Sequence, residues 1–168
     1  MSDKLTYANI IRQAILAVST DQATIDWCIA TYGLKPSVRN DLDPMNPPVA
    51  EDCPLVAFSP VGGENGQDQS EFIRGFIVRV AVYDDEEEVE IDQDSNRVLT
   101  QFFKGTERVS HLLESLVYPA LTRRFNSFNC PISTEDETIE SMQGFLFQAR
   151  AGMTVQFIKT IGEDRPFL

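Results

Sequence analysis

The sequence predicts an α+β fold, a mostly antiparallel sheet of about four strands with helices packed on one face and with extended hairpins. Three patterns predict this fold. Apolar residues alternate along a stretch near the C-terminus, shorter stretches repeat the alternation, and apolar residues at helical spacing lie before and between them. A chain of 168 residues with a hydrophobic share of 42% suits one domain with a real core. We therefore expect a single domain over 1–168, including a proline-rich loop at 35–54 and an acidic connector at 84–94.

Two helices are predicted at the N-terminus. Thr6 is placed to cap a helix over about 7–18, in which apolar residues recur at helical spacing. Ser19 and Gln22 have the spacing of a capping box for a second, short helix that ends at Gly33. The apolar stripe predicted for this second helix contains Ile25, Cys28, Ile29 and Tyr32.

A hairpin with a long, glycine-rich tip is predicted next. Leu55–Ser59 has strand composition and lies between Pro54 and Pro60, which predicts that the strand ends there. Residues 62–70 are predicted to form the turn, and the returning strand begins at Glu71. Its predicted buried face consists of Phe76, Val78, Val80 and Val82.

The longest helix is predicted after the acidic connector, from about Ser95 to Val117. Its predicted apolar stripe consists of Val98, Leu99, Phe102, Val109, Leu112, Leu113 and Leu116. Gly105 is expected to weaken this helix by about 1 kcal/mol relative to alanine, and Pro119 to end or kink it. A further strand is predicted between Phe128 and Met142, interrupted by an acidic turn at 135–137.

The closing stretch from Gly144 to Ile161 has the strongest pattern in the chain. Apolar side chains fill its odd positions from Phe145 to Phe157, which predicts a strand with one buried and one wet face. Such a strand extends roughly 50–55 Å at about 3.3 Å per residue. A domain of this size has a radius of gyration of about 15 Å. We therefore expect the strand to project and pair with another molecule; a curved sheet in a monomer is the alternative.

The charge is strongly negative and concentrated. Of the formal net charge of −12, eight negative charges come from 84–94, which contains no base, so the rest of the chain carries −4. Sequence-independent binding to DNA requires clustered lysine and arginine, so this balance argues against it. Three cysteines without CxxC spacing indicate buried thiols in a reducing compartment. No membrane span and no secretory signal are expected.

The motifs that might indicate catalysis or metal binding are incomplete. His111, the only histidine, falls beside the predicted stripe of the long helix and has no cluster of acids or cysteines around it, which favours a surface role. Asp92, Asp94 and Asn96 imitate the start of a calcium loop, but Arg97 and Phe103 stand where the loop needs glycine and glutamate. The glycines at 62–66 lack the lysine and hydroxyl of a phosphate-binding loop. We expect no enzyme activity, no cofactor and no metal site.

The order of elements resembles that of the tail terminator proteins of long-tailed bacteriophages. The matching segments are the strand at 54–58, the strand Phe76–Tyr83, the helix at Val98–Val117 and the closing strand Phe145–Ile158. The resemblance covers most of the chain, although the family has no short signature. The N-terminal region departs from the family pattern, because the second helix and the loop at 35–54 are longer than expected. Other neck and tail-completion proteins therefore stay in contention.

The resemblance implies a structural role in the virion. It implies a ring, hexameric in this family, that caps the tail tube and joins it to the head or neck, after assembly in the host cytoplasm. The implied partners are further copies of the chain, the tail tube protein and a head-completion or neck protein, while DNA passes without specific binding. The alternatives are another head-completion or connector protein, or a soluble acidic module that binds a basic partner.

Two sets of candidate residues follow from this resemblance. The first contains hairpin-tip residues that would contact a neighbouring subunit or the tail tube: Gly62, Gly63, Asn65, Gly66, Asp68, Arg150, Gly152 and Thr154. The second contains acids that would line or rim a DNA channel and repel phosphate: Asp84, Asp85, Glu86, Glu87, Glu88, Glu135, Asp136 and Glu137.

Overall fold

The computed structural model describes residues 6–40, 48–65, 71–141 and 144–158. The described elements are α1 (Tyr7–Ser19), α2 (Gln22–Tyr32), β1 (Ser37–Asn40), a 3₁₀ turn (Ala50–Asp52), β2 (Leu55–Asn65), β3 (Glu71–Tyr83), β4 (Glu87–Asp92), β5 (Arg97–Phe103), α3 (Lys104–Ser110), a π-helical segment (His111–Val117), α4 (Tyr118–Asn126), β6 (Ile132–Ser141) and β7 (Leu146–Ile158).

The strands form one five-stranded sheet and one separate two-stranded ribbon. The order in the main sheet is β1-β2-β3-β7-β6, and all pairs are antiparallel except β1 and β2, which are parallel. The predicted α+β class is therefore confirmed. The sheet is larger than the four strands expected and is partly parallel, because the proline-rich segment supplies an edge strand that its composition did not reveal.

β7 lies inside the sheet, so the prediction that it projects is wrong. It pairs with β3 along its whole length and with β6 on its other edge. The predicted alternation is confirmed from Phe147 to Phe157, whose odd-numbered side chains are buried. The strand begins one residue later than predicted, because Phe145 has a φ of 64° and is 42% exposed.

The first hairpin is confirmed, with a longer first strand than predicted. β2 does not end at Pro60 but continues to Asn65 beside β3, and its register shifts at a bulge between Val61 and Gly63. β1 pairs with β2 only as far as Phe58. The missing N–H of Pro60 therefore removes no hydrogen bond between β1 and β2. The tip at 66–70 is outside the described residues.

The two N-terminal helices form as predicted, with a different cap on the second. The Thr6 hydroxyl accepts a hydrogen bond from the Asn9 backbone N–H (3.2 Å) and caps α1. The cap of α2 is Asp21 rather than Ser19, because α1 runs on through Ser19 and Asp21 accepts from the Thr24 backbone N–H (2.9 Å). α2 presents Thr24 and Cys28 to the core.

The long helix begins later and ends later than predicted. Residues 97–103 form strand β5, and the helical segments α3, π and α4 follow without a break from Lys104 to Asn126. Pro119 does not end the helix. The π-helical segment directly before it widens the helix, with the Tyr118 N–H donating to the Leu113 carbonyl five residues back. This widening makes room for the Pro119 ring, which in a regular α-helix would clash with a backbone carbonyl of the preceding turn.

All helices pack on one face of the sheet. Their buried residues share one core cluster with the even-numbered residues of β3, such as Phe76 and Val78, and the odd-numbered residues of β7. The opposite face carries only a small cluster of Cys53, Leu55, Ala81 and Leu146, to which no described helix contributes. One face of the sheet is therefore largely uncovered in the described chain, and we call it the open face.

Gly105 is required by packing rather than tolerated. A Cβ at this position would lie 2.1 Å from Cδ2 of the buried Phe147 ring, because the start of α3 approaches β7 closely. Real Cβ atoms do not reach such a distance, so either the helix or the ring must move to accept any side chain.

We predict that Gly105→Ala lowers the free energy of unfolding by about 1–3 kcal/mol, because over-packing outweighs the better helix propensity of alanine. Urea unfolding followed by circular dichroism measures this change. Gly62→Ala is the control, since a Cβ there meets nothing within 4 Å. A Gly105→Ala protein as stable as the wild type would show that the helix sits further from β7.

Candidate functional site

A row of arginines crosses the open face of the sheet. The strand register places Arg39, Ala57, Arg79 and Arg150 side by side on β1, β2, β3 and β7. Arg39 forms an ion pair with Asp52 (2.6 Å). Among the described residues, Arg79 and Arg150 form none. Two like charges directly opposite each other on neighbouring strands destabilise a sheet.

The Arg79 side chain also has an unsatisfied polar atom. Its Nε is buried and has no hydrogen-bond partner in the described chain. Leaving such a donor unpaired is unfavourable by about 1–3 kcal/mol. Arg79 therefore combines a buried donor that lacks an acceptor among the described residues with a like charge, Arg150, on the neighbouring strand.

A groove of about 390 Å³ lies beside Arg150 on the same face. Its lining includes four residues from the predicted contact set: Gly62, Arg150, Gly152 and Thr154. The structure thus brings together parts of the chain that are nearly ninety positions apart, because β2, β3 and β7 are adjacent. We call Arg79, Arg150 and this groove the arginine site.

The remaining members of that set are Gly63, Asn65, Gly66 and Asp68. Gly63 and Asn65 lie on β2 beyond the bulge, where their backbones pair with Arg74 and Phe72. Gly66 and Asp68 lie outside the described residues.

Glycines give the groove its depth. A Cβ on Gly75 would lie 3.1 Å from the carbonyl oxygen of Gly62, and one on Gly152 would lie 3.4 Å from the carbonyl oxygen of Glu135. The absence of side chains at these neighbouring positions lowers the floor of the sheet between β2 and β6.

Asp84 does not fit the predicted role of a channel acid. Its side chain is only 3% exposed and forms an ion pair with Arg108 of α3. It also accepts hydrogen bonds from the Glu86 backbone N–H (3.0 Å) and the Tyr32 hydroxyl (3.4 Å). Burial, followed by the negative charge of Asp84, raises the pKa of Tyr32 well above its usual range. Asp84 is therefore a structural residue that fixes the end of β3.

The following acids lie at the base of the β4–β5 ribbon. Arg108 pairs with Glu86 as well as Asp84, and Lys104 pairs with Glu88 (2.6 Å). Hydrogen bonding to Glu88 raises the pKa of Lys104. We call Asp84, Glu86 and Arg108 the clamp, because these residues tie the ribbon to the helix-covered side of the sheet.

The rest of the acidic segment is a strand and not a connector. Glu87–Asp92 pairs with β5, and the Glu87 carboxylate accepts from the Gln101 side-chain amide (2.6 Å). Asp85 and Glu87 are exposed. Glu87–Phe103, including the turn between the strands, is called the acidic ribbon from here on.

The acids at 135–137 do not form one rim. A bulge in β6 places Glu135 opposite Gly152 on the open face and Glu137 opposite Ala151 on the helix side. Glu137 accepts a hydrogen bond from the Tyr118 hydroxyl (3.2 Å). Burial and the neighbouring Glu114 raise the pKa of Glu137. The side chain of Asp136 is outside the described part of the chain.

The single histidine and the three cysteines lie where the sequence predicts. His111 lies at the surface as predicted, with its ring centroid 5.2 Å from that of Trp27. The three cysteines are unpaired and buried, as predicted, and burial raises the pKa of Cys28 to about 12. In the described ranges no group of three or more His, Cys, Asp or Glu side chains is arranged to hold a metal ion.

Sequence reasoning missed Arg79 and Arg108. Arg79 interrupts the apolar alternation of β3 on its wet face, where a single base draws no attention until β7 places Arg150 opposite it. Arg108 lies 24 positions after Asp84, and only the return of the chain through the ribbon brings the two together. No local spacing signals either pair.

The sequence matches no known family model, and no curated protein matches it at a significant level. No helix among the described residues has the length and apolar character needed to cross a membrane.

We predict that Arg108→Met destabilises the protein by about 1–3 kcal/mol, because it leaves the buried Asp84 carboxylate without its cation. Amide hydrogen exchange should also speed up across the acidic ribbon, which loses one of its attachments while Lys104 still pairs with Glu88. Arg123→Met is the matched control, since Arg123 pairs with Asp21 from a side chain that is 62% exposed. Equal effects of the two substitutions would contradict the role of the clamp.

Glu137→Gln should stabilise the protein at pH 7 by less than about 1 kcal/mol. Partial burial and the neighbouring Glu114 disfavour the charged carboxylate, and solvent at this largely exposed residue weakens both effects. A raised pKa in the folded state means that the charged form opposes folding, so the wild type loses stability as pH rises through this pKa. The advantage of glutamine should therefore vanish on acidification below the ordinary glutamate pKa of 4.5. Thermal unfolding at several pH values measures the difference, and a constant gap across pH would contradict the assignment.

Proposed function

We propose that this protein is an assembly subunit of a bacteriophage tail. In this proposal it forms a ring, hexameric by resemblance to tail terminators, that caps the tail tube and joins it to a head-completion or neck protein. The protein acts as a structural part and carries no catalytic centre.

The observation that carries the proposal is the acidic ribbon. Five of its large apolar side chains are between 39% and 50% exposed: Val89, Ile91, Val98, Leu99 and Phe102. Exposed apolar residues grouped on one projecting element mark a surface used by a partner. The strands β2 and β3, the helix from Lys104 and the strands β6 and β7 follow the order on which the resemblance rests, while 98–103 and β1 depart from it. This order supports a partner that is another virion subunit.

β7 no longer supports the proposal, since it lies inside the sheet. Assembly must instead use the two surfaces that the described chain leaves uncovered, the acidic ribbon and the open face. The predicted contact residues Gly62, Arg150, Gly152 and Thr154 lie on the open face, which supports their role in contacts between subunits.

The negative charge suits a passage for DNA. Acids that face a channel repel phosphate, whereas a basic lumen would retain the duplex through counterion release. Asp85 and Glu87 are the exposed members of the channel set in the acidic segment that no ion pair engages in the described chain. They are the acids that we assign to the channel, and Asp84 is removed from that set.

A soluble module that binds a basic partner is the second candidate. The feature that favours it is the same ribbon, with its acids and exposed apolar residues. The two candidates differ in oligomeric state, because a module needs no ring.

We predict that the purified protein forms closed rings at micromolar concentration, with a mass near six times 18.9 kDa. Light scattering after size exclusion gives the mass, and negative-stain microscopy gives the shape. Tails assembled without the protein should have abnormal lengths or fail to join heads. A monomer under all conditions, with normal tails in its absence, would overturn the proposal, and rings with the acidic segment on their outer wall would overturn the channel assignment alone.

A further inference from the structure

Arg79 and Arg150 lie directly opposite each other on the open face of the sheet. Side chains in this relation have Cβ atoms about 4.5–5.5 Å apart, so the two guanidinium groups can reach one shared point above the sheet. Neither forms an ion pair in the described part of the chain. In a chain with a net charge of −12, two cations are therefore placed side by side with no carboxylate between them.

The positions around this pair are uncharged on the β2 side and along both strands. The register gives five such neighbours on the open face: Ala57 on β2, Ile77 and Ala81 on β3, and Gln148 and Gly152 on β7. Three of the five are alanine or glycine, which leaves space above the backbone between the arginines. A small ligand could therefore approach both guanidinium groups at once.

Acids bound the site on its other side, along β6. Thr138 lies opposite Arg150, and Glu135 and Glu140 occupy the neighbouring open-face positions of β6. Glu135 is exposed, lines the groove and forms no ion pair among the described residues. The positive charge is therefore confined to the space between β3 and β7. An anion held there must be small, because a long one would meet the acids of β6.

The donors at this place match the oxygens of a tetrahedral anion. Each guanidinium presents five N–H groups in a rigid fork that suits carboxylate and phosphate oxygens. The Gln148 amide and the Thr138 hydroxyl, at adjacent open-face positions, are further donors. The two guanidinium groups together carry a charge of +2, so a dianion compensates them more completely than a monocarboxylate does.

We propose that the arginine site binds one small dianionic oxyanion, a phosphate ion or a phosphate monoester, between Arg79 and Arg150. The anion offsets the repulsion between the two arginines and thereby stabilises the sheet. The groove of about 390 Å³ beside Arg150 has room for the organic group of a monoester. This inference goes beyond the proposed function, because a single chain contains the whole site and no ring is needed.

Calorimetric titration with inorganic phosphate, in chloride buffer at constant ionic strength, tests the site. We expect one saturable site per chain with a dissociation constant of about 1 mM or below. Arg79→Gln and Arg150→Gln should each weaken binding at least about 10-fold, because each removes a charged donor. Glu135→Gln should strengthen binding, because it removes a nearby negative charge. Arg12→Gln is the matched control, since Arg12 is exposed on α1, and it should leave binding unchanged.

Thermal unfolding gives a second readout that does not depend on heats of binding. In chloride alone, Arg150→Gln should be at least as stable as the wild type, because it removes the like charge opposite Arg79. At saturating phosphate the order should reverse, because only the wild type gains the free energy of binding. General stabilisation of proteins by phosphate acts on both chains alike and cannot reverse their order.

Two further ligands define what the site takes. Glycerol phosphate should bind at least as tightly as inorganic phosphate, and weaker binding would overturn the monoester and leave the free ion. A short DNA duplex that binds through the same two arginines more tightly than phosphate would overturn the restriction to small anions. No saturable binding of phosphate by the wild type, or equal binding by the Arg79→Gln and Arg150→Gln variants, would overturn the site itself. None of these results depends on whether the chain forms a ring.

Discussion

The fold depends on the burial of one face of β7. This strand is paired on both edges, and its odd-numbered side chains from Phe147 to Phe157 meet the helix layer. A slip of one residue would expose this whole set and bury Arg150, so the register is fixed. The same register fixes the other face of the sheet. Arg150 and Arg79 are opposite each other because β7 has no freedom to shift, so the pairing of like charges on the open face is a consequence of the order in the core.

The sequence predicted the elements whose pattern comes from burial on one side. The alternation of β3 and β7 and the apolar stripe of α1 reflect a single boundary between core and water. The Thr6 cap was predictable for a different reason, because the first N–H groups of a helix need nearby acceptors. The prediction failed at 97–103 for a definite physical reason. Val98, Leu99 and Phe102 have helical spacing, but in the ribbon Val98 pairs with Ile91, Phe102 pairs with Glu88 on the other face, and Leu99 lies in the bulge between them. Their side chains are also exposed, so no burial pattern was present to interpret.

The candidate site was less accessible to sequence reasoning than the fold. The sequence predicts Gly62 at the tip of the first hairpin and Arg150 and Gly152 near a second tip. These residues do share one surface, because β2, β3 and β7 are neighbours. Asp84 shows the opposite error. Within a run of acids it resembled its neighbours, and only the tertiary position of Arg108 separates a buried, paired carboxylate from the exposed acids that follow. A sequence shows the sign of the charges and how closely they are spaced. Which of the charged side chains are exposed and which form ion pairs depends on the topology of the fold.

The net negative charge of the chain opposes the assembly of identical copies. Each copy carries −12, so copies repel at long range, and this repulsion falls off over about 8–10 Å at physiological ionic strength. Assembly of identical copies would therefore be opposed most strongly at very low salt, where this repulsion is least screened. The clamp lowers the uncompensated charge within one chain, because Arg108 pairs with both Asp84 and Glu86. Asp85 and Glu87 stay exposed and form no ion pair among the described residues, so the remaining repulsion between copies lies at the base of the ribbon.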